Sequence, residues 1–132
     1  MSQQNVESVR RGFAAINRGD TDAVLADMDD GIEWYPTDDF ADIGPFRGHG
    51  GIRELMNLVL NAVDDYSLEP EELIDAGEKV VAPVHQTARG KGSGVPVDVR
   101  YILVFTLREG KAVHVDSYYD RRRALQAAGL TE

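Results

Sequence analysis

Asn17-Arg18-Gly19-Asp20 is the stretch on which the reading of the fold turns. Before it, Val6, Val9, Phe13 and Ile16 recur at helical spacing, so one apolar stripe runs along a helix predicted over about residues 3 to 17. Gly19 stops that helix, and Asp20 or Thr21 caps a shorter one carrying Val24, Leu25 and Met28. An aromatic strand, Ile32-Glu33-Trp34-Tyr35-Pro36, comes next. Arg47-Gly48-His49-Gly50-Gly51 then opens a third helix, on which Ile52, Leu55, Met56, Val59, Leu60 and Val63 fall at i, i+3, i+4, i+7, i+8 and i+11.

From Tyr66 onward the period shortens. Four strands are predicted, from Tyr66 to Ala76, Lys79 to Arg89, Val95 to Arg108 and Ala112 to Tyr119. Their turns lie at Asp75-Ala76-Gly77-Glu78, at Gly90-Lys91-Gly92-Ser93-Gly94 and at Arg108-Glu109-Gly110-Lys111. Asp120 stands at the N-cap of a closing helix from Arg121 to Ala128, with Gly129 at its end. Three N-terminal helices followed by strands predict an α+β fold in which a curved, mixed or antiparallel sheet wraps the helices and a short helix closes the chain.

Composition narrows the function. The 132 residues suit a single domain spanning residues 1–132 with one core. A net charge of −9 disfavours nucleic acid and anionic membranes as partners, and Arg121-Arg122-Arg123 reads as a solvated helix start. The absence of cysteine excludes disulfides, thiolate nucleophiles and cysteine-bound zinc. No stretch approaches the ~18 apolar residues of a membrane span, and Met1-Ser2-Gln3-Gln4-Asn5 has no signal-peptide character, so a cytoplasmic location is expected.

One strand bears on assembly. Val97, Val99, Tyr101, Leu103, Phe105 and Leu107 share one face, while Ile102 and Val104 make the other face apolar too. A strand apolar on both faces is covered on both. With the helices assigned to the inside, a homodimer through the outer sheet face is expected.

The order of these parts, with Asn17-Arg18-Gly19-Asp20 and Arg47-Gly48-His49-Gly50-Gly51, resembles the NTF2-like superfamily and within it the SnoaL-like, polyketide-cyclase-like proteins, from about Val6 to Gly129. The resemblance implies a cone-shaped pocket, a dimer, and a fold that hosts isomerases, cyclases, dehydratases, hydrolases and silent binders alike. Aligned on the last turn and on the Asn-x-Gly-Asp, it implies that Val80, Ala82, Val84 and Gln86, then Tyr101, Leu103 and Phe105, then Val113, Val115, Ser117 and Tyr119 point inward. A slip of one residue exchanges every face.

The site expected from this is an apolar pocket formed by Phe13, Trp34, Tyr35, Met56, Leu60, Gln86, Tyr101, Leu103, Phe105, Val115, Ser117 and Tyr119. Trp34 and Tyr35 are neighbours on a strand, so only one of them enters. Gln86, Ser117, Tyr119 and Tyr35 supply its few polar contacts. Asp116 and Tyr35 are the candidate acid or base; buried among aromatic rings, Asp116 would have a raised pKa suited to proton transfer. No cofactor and no metal are expected: His49, His85 and His114 have no local ligand pair apart from His114 with Asp116. Thr37-Asp38-Asp39-Phe40-Ala41-Asp42-Ile43 is placed by the resemblance along the pocket mouth, as a lid or a solvated acidic loop.

Three functions remain open at this level: a binder of an apolar small molecule, an acid/base enzyme acting on a polyketide-like or other cyclic substrate, and a dimeric interaction module with a filled cavity. An open pocket without an acid favours the first. Ketosteroid isomerases of this fold use a tyrosine and a protonated aspartic acid as oxyanion donors and an aspartate base. The matching positions hold Gly12, Leu103 and Tyr35, and the aspartate of the SnoaL cyclases is matched by Ser117, which has no adjacent base. Incubation of the purified protein with a Δ5-3-ketosteroid is therefore expected to give no conjugated isomer above background, as followed by ultraviolet absorbance.

Overall fold

The computed structural model describes residues 2–130. The chain opens with α1 (Ser2–Arg18) and α2 (Thr21–Ala26). Gly19, at φ +69°, makes the left-handed exit from α1 that a side chain would strain. Asp20 then accepts a hydrogen bond from the Ala23 N–H at 3.1 Å, so it is the N-cap. β1 (Met28–Trp34), a 3₁₀ segment (Asp38–Ile43), β2 (Phe46–Arg47) and α3 (Gly48–Ala62) follow. The strand-rich half holds β3 (Val63–Pro70), β4 (Ile74–Ala76), β5 (Lys79–Gly90), β6 (Pro96–Arg108) and β7 (Lys111–Tyr118), and α4 (Arg121–Ala127) closes it.

The α+β class holds, but the helices are not grouped at the N-terminus: two precede the sheet, and α3 comes after β1 and β2. The sheet order is β2-β1-β7-β6-β5-β3, with β4 also paired to β5. β1 runs parallel to β7, and every other pairing is antiparallel. The early strand thus becomes an outer member of a sheet made mainly by the second half of the chain. Gly51 lets α3 start directly on β2, since a Cβ there would lie 3.0 Å from the Phe46 backbone.

Three boundaries move. Met28, counted above in the second helix, lies beyond the end of α2 at Ala26 and opens β1. Val63, counted above in the α3 stripe, is extended at φ −138° and ψ 160° and opens β3 opposite Gly90. The run from Tyr66 to Ala76 divides at Pro70, whose ring carries no N–H to continue a ladder.

The inner face follows the register expected from the resemblance. Val80, Ala82 and Val84 of β5, Leu103 and Phe105 of β6 and Val115 of β7 share a core with Val9, Phe13 and Ile16 of α1 and Ile52 of α3. Val113 departs from it. A bulge opposite Thr106 and Leu107 brings Ala112 against Leu107 and into that core.

On the outer face the expectation of an uncovered apolar strip is overturned. Ile102 and Val104 are buried in the single chain, beneath Ala124 and Leu125 of α4 and beside Val81. Asp120 caps α4 by accepting from the Arg122 N–H at 2.8 Å, and the Lys79 ammonium donates to the Ala127 carbonyl at 3.0 Å. The chain therefore supplies its own second layer over β6. Val104, 2% exposed, has no route to water for a charge placed there. Val104→Arg is expected to lower the unfolding free energy by roughly 3 kcal/mol or more, measured by urea denaturation; unchanged stability with only altered assembly would contradict this packing.

Candidate functional site

Between α3 and the concave face of the sheet the side chains leave an open cavity of about 260 Å³. Its helical wall comes from Ile52, Leu55, Met56, Val59 and Leu60, the stripe seen in the sequence. Tyr66 and Leu68 of β3, Gln86 of β5, Val99 and Tyr101 of β6 and Ser117 of β7 form the sheet wall. Phe40 and Ile43 of the 3₁₀ segment stand at the mouth with Tyr119. This volume lies just under the roughly 300–1,000 Å³ of drug-sized ligand pockets, so an occupant is small.

Of the side chains expected in the pocket, Trp34, Met56, Leu60, Gln86, Tyr101, Ser117 and Tyr119 line it. Phe13, Leu103, Phe105 and Val115 lie in the core beside it and do not line it. There the Phe13 and Phe105 rings meet edge to face at 5.6 Å, and Trp34 meets Phe105 the same way at 6.0 Å. The Phe13 and Phe105 rings pack in one core cluster with Leu103 and Val115, away from the cavity wall.

Trp34 is the member of the aromatic pair that enters, and Tyr35 faces the other way. The Tyr35 ring stacks on His114 at 4.9 Å, and its hydroxyl donates to Glu33 at 3.4 Å. Asp116 lies on the same outer face, 3.1 Å from His114 Nε2. The Arg47 guanidinium, 3.0 Å from Glu33, holds that carboxyl below its usual range. Both candidate acid/base residues are thus outside the cavity, because Ser117 and Val115 take the inward places on either side of Asp116. His49 hydrogen-bonds the Met28 carbonyl at 3.0 Å, and His85 pairs with Asp98 at 2.7 Å. Among the described residues no group of three or more His, Cys, Asp and Glu side chains is placed to hold a metal.

The polar groups of the wall are few and bonded. Ser117 donates to the Tyr35 carbonyl at 2.8 Å, which leaves its hydroxyl without a basic partner. At the mouth, Tyr119 and Thr37 both donate to Asp39, at 3.0 and 2.6 Å, and their hydrogen bonds, that of Thr37 foremost, lower its pKa. Deeper in, the Tyr66 and Tyr101 hydroxyls donate to the Gln86 amide oxygen at 3.2 and 2.9 Å. Phe40 and Ile43 belong to the segment that the resemblance placed along the mouth, whereas Tyr66 is a wall residue not among those expected. Tyr66 is legible by alternation with the inward Leu68, two residues on.

The SnoaL-like domain model matches residues 9–115. The chain belongs to the SnoaL-like family. Solved structures agree on an NTF2-like fold. An NTF2-like protein from Burkholderia xenovorans LB400 is 30% identical at TM-score 0.74, covering 97% of each chain. One from Burkholderia thailandensis E264 is 26% identical at TM-score 0.79, covering 95% of each. TerC, co-crystallised with polyporic acid, is 22% identical at TM-score 0.78 over 96% of this chain and 98% of its own. No curated protein matches the sequence. No helix among the described residues of this SnoaL-like protein is long and apolar enough to cross a membrane.

Burial pushes the Tyr66 phenol from 10.0 up to about 12 and raises that of Tyr101 as well. The unfolded chain gives up these protons first, so the folded state binds more of them above the unfolded value. Stability is expected to be full below about pH 10 and to fall as pH rises from there toward about 12. Tyr66→Phe should flatten that alkaline loss, as read from urea midpoints across the range.

Proposed function

We propose that this SnoaL-like protein, a single domain, binds an apolar small molecule in its central cavity. The observation that carries the reading is the chemistry of the wall: a cavity that is open, lined largely by apolar side chains, and free of carboxylate, histidine, lysine and arginine among the described residues. Burial of apolar ligand surface supplies the driving force, at roughly 25 cal/mol per Å² before the costs of association. TerC, a structural relative co-crystallised with polyporic acid, supports small-molecule binding in this fold.

An acid/base enzyme acting on a polyketide-like or cyclic substrate is the second reading. Its proton-transfer group would be Asp116 or Tyr35, and the position of both on the outer face weighs against it. The open cavity weighs against a filled interaction module. A cytoplasmic location is part of the proposal. So is a homodimer through the part of the outer face that α4 leaves free, where the stacked Tyr35 and His114 are only half-buried.

The two readings separate on adjacent residues of β7. Ser117→Trp is expected to fill the cavity and abolish binding of the uncharged fluorescent probe N-phenyl-1-naphthylamine, while Asp116→Asn leaves the affinity unchanged. The opposite pattern would put the acid on the inside and favour the enzyme.

A further inference from the structure

Gln86 sits on β5 in register with Leu68 of β3 on one side and Val99 of β6 on the other, three residues that all line the cavity. Its amide oxygen accepts the Tyr66 hydroxyl at 3.2 Å and the Tyr101 hydroxyl at 2.9 Å. A carbonyl oxygen has two lone pairs, so its accepting capacity is filled and both phenol protons are spent. The amide nitrogen is different. No hydrogen bond among the described residues uses it, although no side-chain nitrogen or oxygen there is both buried and unpartnered. The Gln86 nitrogen therefore opens onto the space that Gln86 lines, with two N–H donors to offer.

We propose that the Gln86 amide nitrogen anchors the carbonyl oxygen of an uncharged ligand, with Tyr66 and Tyr101 holding the amide in the orientation that presents its N–H groups to the cavity. The inference rests on the reading of the cavity as a ligand site and names the class of ligand. A carboxylate or phosphate would enter a wall with no cation to balance it. A ligand hydroxyl would bring a proton for which the Gln86 oxygen has no lone pair left. A neutral ketone, ester or tertiary amide brings only the acceptor that the Gln86 N–H groups lack. The two tyrosines remain protonated throughout the physiological range, because burial raises the pKa of each, so the oxygen stays occupied and the amide does not turn over.

Three probes of one size test this by NMR titration of the full-length protein: acetophenone, its hydrocarbon counterpart ethylbenzene, and benzoate. In the wild type, acetophenone is expected to bind and to shift the Gln86 side-chain NH₂ resonance, ethylbenzene to bind without that shift, and benzoate to bind at least tenfold more weakly than acetophenone. Gln86→Met should weaken acetophenone about tenfold and leave ethylbenzene within about twofold. Since that substitution strands two phenol protons, the triple variant Gln86→Met, Tyr66→Phe, Tyr101→Phe removes the whole polar group together and should show the same selective loss. If acetophenone binds the wild type and either folded variant equally, or benzoate binds as well as the ketone, the carbonyl anchor is wrong while the cavity reading stands. If none of the three probes binds the wild type, the cavity reading itself fails and the anchor with it.

Discussion

The side chain of Asn17 does for β3 what a neighbouring strand would do. Its amide nitrogen donates to the Leu68 carbonyl at 3.0 Å and its oxygen accepts the Leu68 N–H at 2.7 Å. β3 is an outer strand, and those two backbone groups would otherwise stand unpaired beside the core. The same helix is tied at two more points: Asn5 donates to the Gly77 carbonyl at 2.9 Å, and the buried Ser8 to the Gly110 carbonyl at 3.0 Å. Three polar ties set α1 across the turns of the sheet, so Phe13 and Ile16 land on the inner face of β5 and β6. Tyr66 and Leu68, on the strand held by Asn17, become cavity wall.

With α1 fixed, the shape of the cavity follows from packing. The aromatic contacts of Phe13, Trp34 and Phe105 fill the core beside the cavity. The side chains of α3, the strands, and Phe40 and Ile43 of the 3₁₀ segment enclose the space that is left. Thr37, Asp39 and Tyr119 tie that segment to the end of β7. The central strands are thus covered twice, by α1 to α3 within and by α4 outside, and the apolar character of β6 on both faces is accounted for by one chain.

Chemistry is distributed by the same alternation. β7 sends Val115 and Ser117 inward and His114 and Asp116 outward, so the ionisable residues collect on the convex surface with Glu33, Tyr35 and Arg47. The concave side keeps neutral hydroxyls and one amide. Among the described residues the cavity wall carries no carboxylate, histidine or lysine, the side chains suited to taking a proton from carbon.

The apolar periodicities of α1 and α3, the caps Asp20 and Asp120, the turns and the α+β class were legible in the residues, because each is set by contacts a few positions apart. The inward set Val80, Ala82, Val84, Leu103, Phe105 and Val115 was reachable once the alternation had a fixed point. The place of α3 after β1 in the packing, the bulge that exchanges Val113 for Ala112, and the covering of Ile102 and Val104 by α4 were not, since each depends on elements distant in sequence meeting. The site divides in the same way. Gln86, Tyr101 and Ser117 follow from strand alternation once the family resemblance fixes which face is inward. That Tyr66 shares the Gln86 oxygen with Tyr101 and that Phe13, Phe105 and Val115 pack in the core and not on the cavity wall were decided only by the tertiary structure, because a cavity is the space left where long-range packing stops.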